Sequence, residues 1–224
     1  MSEIVVKQDN RNKAGLDSTE RATLIEALIS SDILSFGEFT LKSGLKSPYF
    51  FNLGNCASGK VIELLASYYA KAIIDTPLPG SSLFGPAYKG IPLVSATAAC
   101  LFRQYRRDMV FAFNRKEQKD HGEGGIIVGR LSQQTILLDD VLTRGTAITE
   151  AKNLIEAHHG KVSAVITAFD RQEPTTSGLT AIEQLAQQWQ LPVLSLLSLQ
   201  DVIGYFAQLN DPRGERLKSY IESV

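Results

Sequence analysis

The residues most able to do chemistry lie at 135–147, where the apolar run TILL ends in Asp139 and Asp140 and a short loop with one glycine enters a helical pattern. In an open parallel sheet, ligands bind beyond the carboxyl ends of the strands, so this is where a ligand is expected. The turn from Leu142 to Thr146 offers backbone N–H groups and the hydroxyls of Thr143 and Thr146 at a helix N-terminus, which suits a phosphate monoester. Two adjacent carboxylates would repel that anion. They suit instead the two hydroxyls of a ribose, directly or through a metal-bound water. A terminal phosphate beside a sugar diol describes ribose 5-phosphate. The plainer alternative is an Asp pair that caps a helix. No GxxxxGK[ST] run is present, so a P-loop is excluded.

Three further segments could serve the same anionic ligand. At 114–125, NRKEQKDHGEGG sets Arg115, Lys116, Lys119 and His121 ahead of Gly122, Gly124 and Gly125. That glycine density argues against a helix, and a mobile basic loop between two strands suits a diphosphate lid. An exposed charged hairpin is the alternative. At 39–52, FTLKSGLKSPYFFN offers Lys42 for an anion and Phe50 or Phe51 for a flat heterocycle. Adjacent strand residues face opposite sides, so one of the two phenylalanines is expected in the core. At 85–92, GPAYKGIP supplies a turn of amides and a lysine after a strand.

The elements that must position these segments alternate. Asp17 and Glu20 resemble a capping box ahead of Leu24, Ile25, Leu28 and Ile29 at helical spacing. A helix is expected at 58–75, with Val61, Ile62, Leu65 and Tyr69 on one face, ended by Pro77, Pro79 and Gly80. Strands are expected at 81–85, 109–113, 126–128, 135–138, 162–169 and 192–197, and helices at 90–105, 146–158 and 179–189, with two short helices closing the chain. Such alternation implies an α/β fold, a parallel sheet with right-handed crossovers, under a small mixed N-terminal hood. Residues 1–20 read as an extension, the first 16 without period and either loosely ordered or packing late, and 21–224 as one domain.

The 224 residues, 44% hydrophobic and with a formal charge of −1, give no bulk reason to expect nucleic acid or an anionic membrane as partner. Cys56 and Cys100 lack CxxC spacing and read as reduced thiols. No secretory leader is visible, and no apolar stretch approaches the roughly 18 residues that span a bilayer. The chain reads as cytoplasmic. His158 and His159, before Gly160, read as a helix end that complements the dipole, and Trp189 as core or subunit packing.

With these segments in view, 137–147 is similar to the PRPP-binding signature (PRPP, 5-phosphoribosyl 1-diphosphate) of type I phosphoribosyltransferases. The set FTLKSG, SPYFFN, GPAYKGIPL, FNRKEQKDHGEGG and LLDDVLTRGTA resembles bacterial and fungal orotate phosphoribosyltransferases from about residue 20 onward. The resemblance implies the type I phosphoribosyltransferase fold, transfer of phosphoribosyl from PRPP to orotate, Mg²⁺ held largely by substrate oxygens, and a homodimer that shares the basic loop across subunits. It implies that Asp139 and Asp140 hold the ribose hydroxyls and that Thr143, Arg144, Gly145, Thr146 and Ala147, continuing the signature through Val141 and Leu142, cradle the 5-phosphate. Tyr88 and Lys89 would contact the diphosphate, and Arg115, Lys116, Lys119 and His121 would close over it. Lys42 would meet PRPP or orotate, Phe50 and Phe51 would line the base pocket, and Thr143 with Arg171 would engage the base and its carboxylate. Leu45 departs from a frequent Arg, and Arg144 from a small residue common in the phosphate loop. A transferase for another base and a PRPP-sensing regulator without turnover are the alternatives.

Overall fold

The computed structural model describes residues 12–41, 44–119, 125–142 and 145–224, with the side chains of 118 and 119 outside the description. The hood comes first. Helix α1 (Ser18–Ser30) opens on the Asp17–Glu20 capping box and is followed by the antiparallel pair β1 (Leu34–Thr40) and β2 (Lys46–Phe51). A short 3-10 turn (Leu53–Asn55) leads into α2 (Gly59–Asp75), whose buried face carries Val61, Leu65 and Tyr69.

The sheet is then laid down by β3 (Ser82–Gly85), α3 (Gly90–Tyr105), β4 (Val110–Lys119), β5 (Gly125–Gly129), β6 (Gln134–Leu142), α4 (Thr146–Ala157), β7 (Lys161–Asp170), α5 (Ala181–Trp189) and β8 (Val193–Ser198). Helices α6 (Leu199–Gln208) and α7 (Arg213–Ser223) close the chain. The strand order is β5-β4-β3-β6-β7-β8, parallel throughout except for the β4–β5 hairpin. This is the α/β architecture that the alternation predicts.

The central run is apolar because both faces of the sheet are covered. Ile136 and Leu138 point into a cluster shared with α2 and α3, while the intervening Leu137 points into the cluster under α4 and α5. That alternation is what a doubly buried strand needs.

Two expectations shift, and one pair of alternatives is narrowed for residues 12–16. β6 does not end at residue 138 but continues to Leu142, because β7 goes on pairing with it (Asp139 with Thr167, Leu142 with Asp170) after the β3 ladder stops at Leu137. The acids therefore sit on rigid strand. The basic segment is also less of a loop than its glycines suggest: β4 runs to Lys119, with Asn114 opposite Ile127 and Lys119 opposite Gly125. Its ladder is irregular between those pairs, and residues 120–124 lie outside the described residues. Residues 12–16 are packed, with Ala14 and Leu16 buried and Lys13 bridging Ser195 in parallel along the β8 edge.

His158 is the C-cap of α4, its Nδ1 lying 2.9 Å from the Leu154 carbonyl, and Trp189 packs partly buried against the α4–α5 cluster. Cys56 and Cys100 are free thiols. Among the described residues, no helix is long and apolar enough to cross a membrane.

Candidate active site

Asp139 and Asp140 are 7% and 6% exposed, at the carboxyl end of the central strand. The Asp140 amide donates to Asp139 Oδ1 at 2.9 Å, and the buried Tyr69 hydroxyl on α2 donates to the Asp139 backbone carbonyl at 2.7 Å. Lys89 Nζ donates to Asp140 Oδ2 at 2.8 Å. One lysine thus faces two buried carboxylates. Burial, and then the neighbouring Asp140 charge, push the Asp139 carboxyl up to about 7. An anionic pair at this cost in desolvation favours a partner that brings hydroxyl donors or a cation.

Lys89 reaches Asp140 because the β3–α3 turn is held tightly. A Cβ on Gly85 would lie 2.1 Å from the Gly90 carbonyl oxygen, so strand end and helix start meet backbone to backbone. The Ala87 amide donates to Asn114 Oδ1 at 2.9 Å, which ties this turn to β4, and the Ala87–Tyr88 peptide is cis. Tyr88 is 64% exposed, and Lys116 Nζ sits 4.8 Å from its ring centroid. Arg115 donates to the Gly125 carbonyl at 3.2 Å. The basic hairpin and the Tyr88–Lys89 turn are therefore neighbours. A cleft of about 450 Å³ opens beside them, lined by Leu53, Cys56, Ser58, Ile62, Tyr88 and Lys89 among others.

On the other side of the acids, Gly145 caps α4 at a φ of 71°, a conformation that favours glycine, and Thr146 and Ala147 are exposed at the first turn. Leu142 is buried with Ile148 and Leu185, and Val141 is half-buried, so Leu142 can meet a ligand only through its backbone. Thr143 and Arg144 lie outside the described residues, as do Lys42, the Lys119 side chain and His121.

The two hood phenylalanines separate. Phe51 is 5% exposed and stacks on Phe169, centroids 5.0 Å apart, whereas Phe50 is 40% exposed and stacks on Phe39 at 5.5 Å. Phe50 is the ring left at the surface. Leu45 is exposed. Arg171 follows the end of β7 and is 5% exposed; its guanidinium donates to Glu173 Oε1 and lies 4.7 Å from the Tyr49 ring centroid.

No family model matches the chain. Among curated proteins it is 43% identical over 201 residues to the orotate phosphoribosyltransferase of Proteus mirabilis, covering 89% of this chain and 92% of that one. It is 48% identical over 184 residues to the Pseudomonas paraeruginosa enzyme of the same name, covering 82% and 86%. The chain belongs to the orotate phosphoribosyltransferase family. Among solved structures, the Francisella tularensis orotate phosphoribosyltransferase superposes with a TM-score of 0.79 at 38% identity, covering 90% of this chain and 98% of that one.

In this family member, sequence reasoning assigned no site role to Tyr69, Asn114, Asp170, Glu173 or Tyr220, although it set Tyr69 on a helix face and Asn114 at the head of the basic segment. Asp170 had a usable signal, since like Asp139 it ends an apolar strand run. It is 7% exposed, accepts from the Gln172 amide at 2.9 Å, and burial raises its carboxyl to about 6. The others are known only through tertiary contacts.

Proposed function

We propose that this protein transfers the phosphoribosyl group of PRPP to orotate, releasing diphosphate and orotidine 5′-monophosphate for pyrimidine nucleotide synthesis. The observation that carries this reading is the juxtaposition, at one sheet edge, of the buried Asp139–Asp140 pair, the Lys89 that reaches it, and the exposed first turn of α4. The relatives support the choice of base.

Displacement at C1 of the ribose builds positive charge on the ring and negative charge on the departing diphosphate. Asp139 and Asp140 would hold the ribose hydroxyls and stabilise the first charge. Lys89, Lys116 and Arg115 would stabilise the second, joined by Lys119 and His121 if the basic segment closes over the site. The α4 turn would take the 5-phosphate through Gly145, Thr146 and Ala147, with Thr143 and Arg144 alongside. Phe50 would cover one face of the base, while Lys42 and Arg171 would meet its anionic groups. Exclusion of water by the closed hairpin would protect PRPP from hydrolysis.

Mg²⁺ fits this site. The donors at hand are the hard carboxylate oxygens of the buried Asp139–Asp140 pair, the ligand type that Mg²⁺ takes. Asp139 and Asp140 would hold it through water, and the ion would neutralise diphosphate charge. We further read the protein as a cytoplasmic homodimer whose basic hairpin reaches the partner's site.

The test follows the near-ultraviolet absorbance of orotate after addition of PRPP and Mg²⁺, with uracil, adenine and hypoxanthine as alternative bases. The expected result is Mg²⁺-dependent loss with orotate alone. Turnover with another base would overturn the substrate, and PRPP binding without any turnover would favour a sensor.

A further inference from the structure

Arg171 does not stand alone. Glu173 Oε1 accepts from Arg171 Nε at 2.9 Å, from Arg171 Nη2 at 2.5 Å and from the Tyr220 hydroxyl at 2.6 Å. One carboxylate oxygen therefore gathers two N–H groups from the side-on edge of the guanidinium and a phenol from the C-terminal helix. The Arg171 guanidinium carbon lies over the Tyr49 ring of hood strand β2, 4.7 Å from its centroid, and the Tyr49 and Tyr220 rings meet edge to face at 6.0 Å. The Tyr49 hydroxyl is buried without a hydrogen-bond partner among the described residues, so the hood holds Arg171 through the ring face.

This geometry leaves the guanidinium few degrees of freedom. Nε and one N–H of Nη2 are committed to Glu173, and the Tyr49 ring packs against the group, so the end-on edge of Nη1 and Nη2 is what remains to meet a ligand. The cluster sits where β7 ends, one residue past the Leu142–Asp170 pairing and next to β2, which also carries Phe50. Three parts of the chain thus converge on one cation: the sheet edge, the hood and the C-terminal helix.

We propose that Glu173 and Tyr220 are positioning residues for base selection: they hold Arg171 so that it presents one edge to the base's carboxylate, and so make α7 part of the specificity site. The proposal rests on the reading of the reaction and of Arg171 given above. Tyr220 acts at one remove. Its hydrogen bond fixes the carboxylate that fixes the guanidinium, and neither residue touches the base.

The test compares the full-length chain with Tyr220→Phe and Glu173→Gln in steady-state assays that vary orotate and PRPP separately, with orotate binding by calorimetry and Tm alongside. Tyr220→Phe keeps the ring packing and removes one hydrogen bond to a charged group, so its KM and Kd for orotate should rise about three- to tenfold. The KM for PRPP and the Tm should stay near those of the parent chain. Glu173→Gln should move orotate in the same direction and further. Unchanged orotate affinity in both variants would overturn the proposal. So would a parallel loss for both substrates with a fall in Tm, because that is what packing alone would give. Failure of the parent chain to turn over orotate would sink the reading of the reaction itself, and the proposal with it. Failure in the variants alone leaves that reading standing.

Discussion

The ends of β6 and β7 lie side by side in register, yet they treat buried charge in opposite ways. At the end of β6, two carboxylates under 10% exposed share one lysine whose side chain is 43% exposed. At the end of β7, the 5%-exposed Arg171 is matched by Glu173 and locked by an aromatic face. The first end is under-compensated; at the second the buried cation is balanced, while the neighbouring Asp170 carboxyl stays raised to about 6 by burial. Buried charges that a fold leaves unmatched are poised for a ligand's charges, whereas matched ones set geometry. On this argument β6 carries the energetics of the chemistry, and β7 the orientation of what reacts.

The strongest way to break the contrast is to neutralise each end. Asp140→Asn should lower kcat/KM for PRPP by about 10²- to 10³-fold, roughly 3–4 kcal/mol of transition-state stabilisation. Its Tm should hold, because the change removes a buried like-charge neighbour of Asp139 as well as an ion pair. A collapse in Tm would make the pair structural. At β7 the balance should reverse. Arg171→Met leaves Glu173 without its cation, and urea unfolding should show a loss of about 2–3 kcal/mol. That is the low end for a broken buried pair, since Glu173 keeps 22% side-chain exposure. A loss under about 0.5 kcal/mol would show that the β7 pair does not behave as buried.

The contrast also explains what could be read from residues alone. The sheet was legible because TILL at 135–138 and VITAF at 165–169 are continuous apolar runs, which only a strand covered on both faces can use. The acids, the β3 turn and the α4 cap follow as strand-end chemistry, and each is local in sequence. Glu173 and Tyr220 lie 47 residues apart, and neither has a meaning before the chain folds. The same holds for Tyr69, whose partner carbonyl is 70 residues away. Phe50 and Phe51 are an intermediate case: alternation requires that one be buried, and only the packing of Phe169 decides that it is Phe51. The extent of β4 was hidden for another reason. Its pairing with β5 overrides polar residues that by propensity favour a loop.

A smaller effect sharpens the β6 side. Lys89→Gln removes the cation beside Asp140 and should lower kcat/KM for PRPP about tenfold, read in the same assay at fixed orotate. Stability should move by less than about 1 kcal/mol, because an ion pair with one exposed partner contributes little. If stability fell while kcat/KM held, Lys89 would belong with the matched charges of β7.

The last prediction concerns pH. Asp139 and Asp170 have their carboxyls raised to about 7 and about 6, both chiefly by burial, from an ordinary value near 4 in the unfolded chain. Between those values the folded protein holds protons that the unfolded chain releases. The stabilisation is therefore complete below about pH 4 and is lost as pH rises through the folded values. These two groups should make Tm fall between about pH 4 and pH 7, opposite to what paired carboxylates give. Asp139→Asn removes the upper limb, so its Tm should change less than the parent's between pH 6 and 8, while the Asp170 limb below about pH 6 persists. The same ionisation should set an acid limb near pH 7 in kcat/KM for PRPP, because the anionic pair is the form that holds ribose hydroxyls. If the parent and Asp139→Asn gave parallel Tm profiles from pH 6 to 8, Asp139 would be as well compensated as Arg171, and the distinction between the two strand ends would fall.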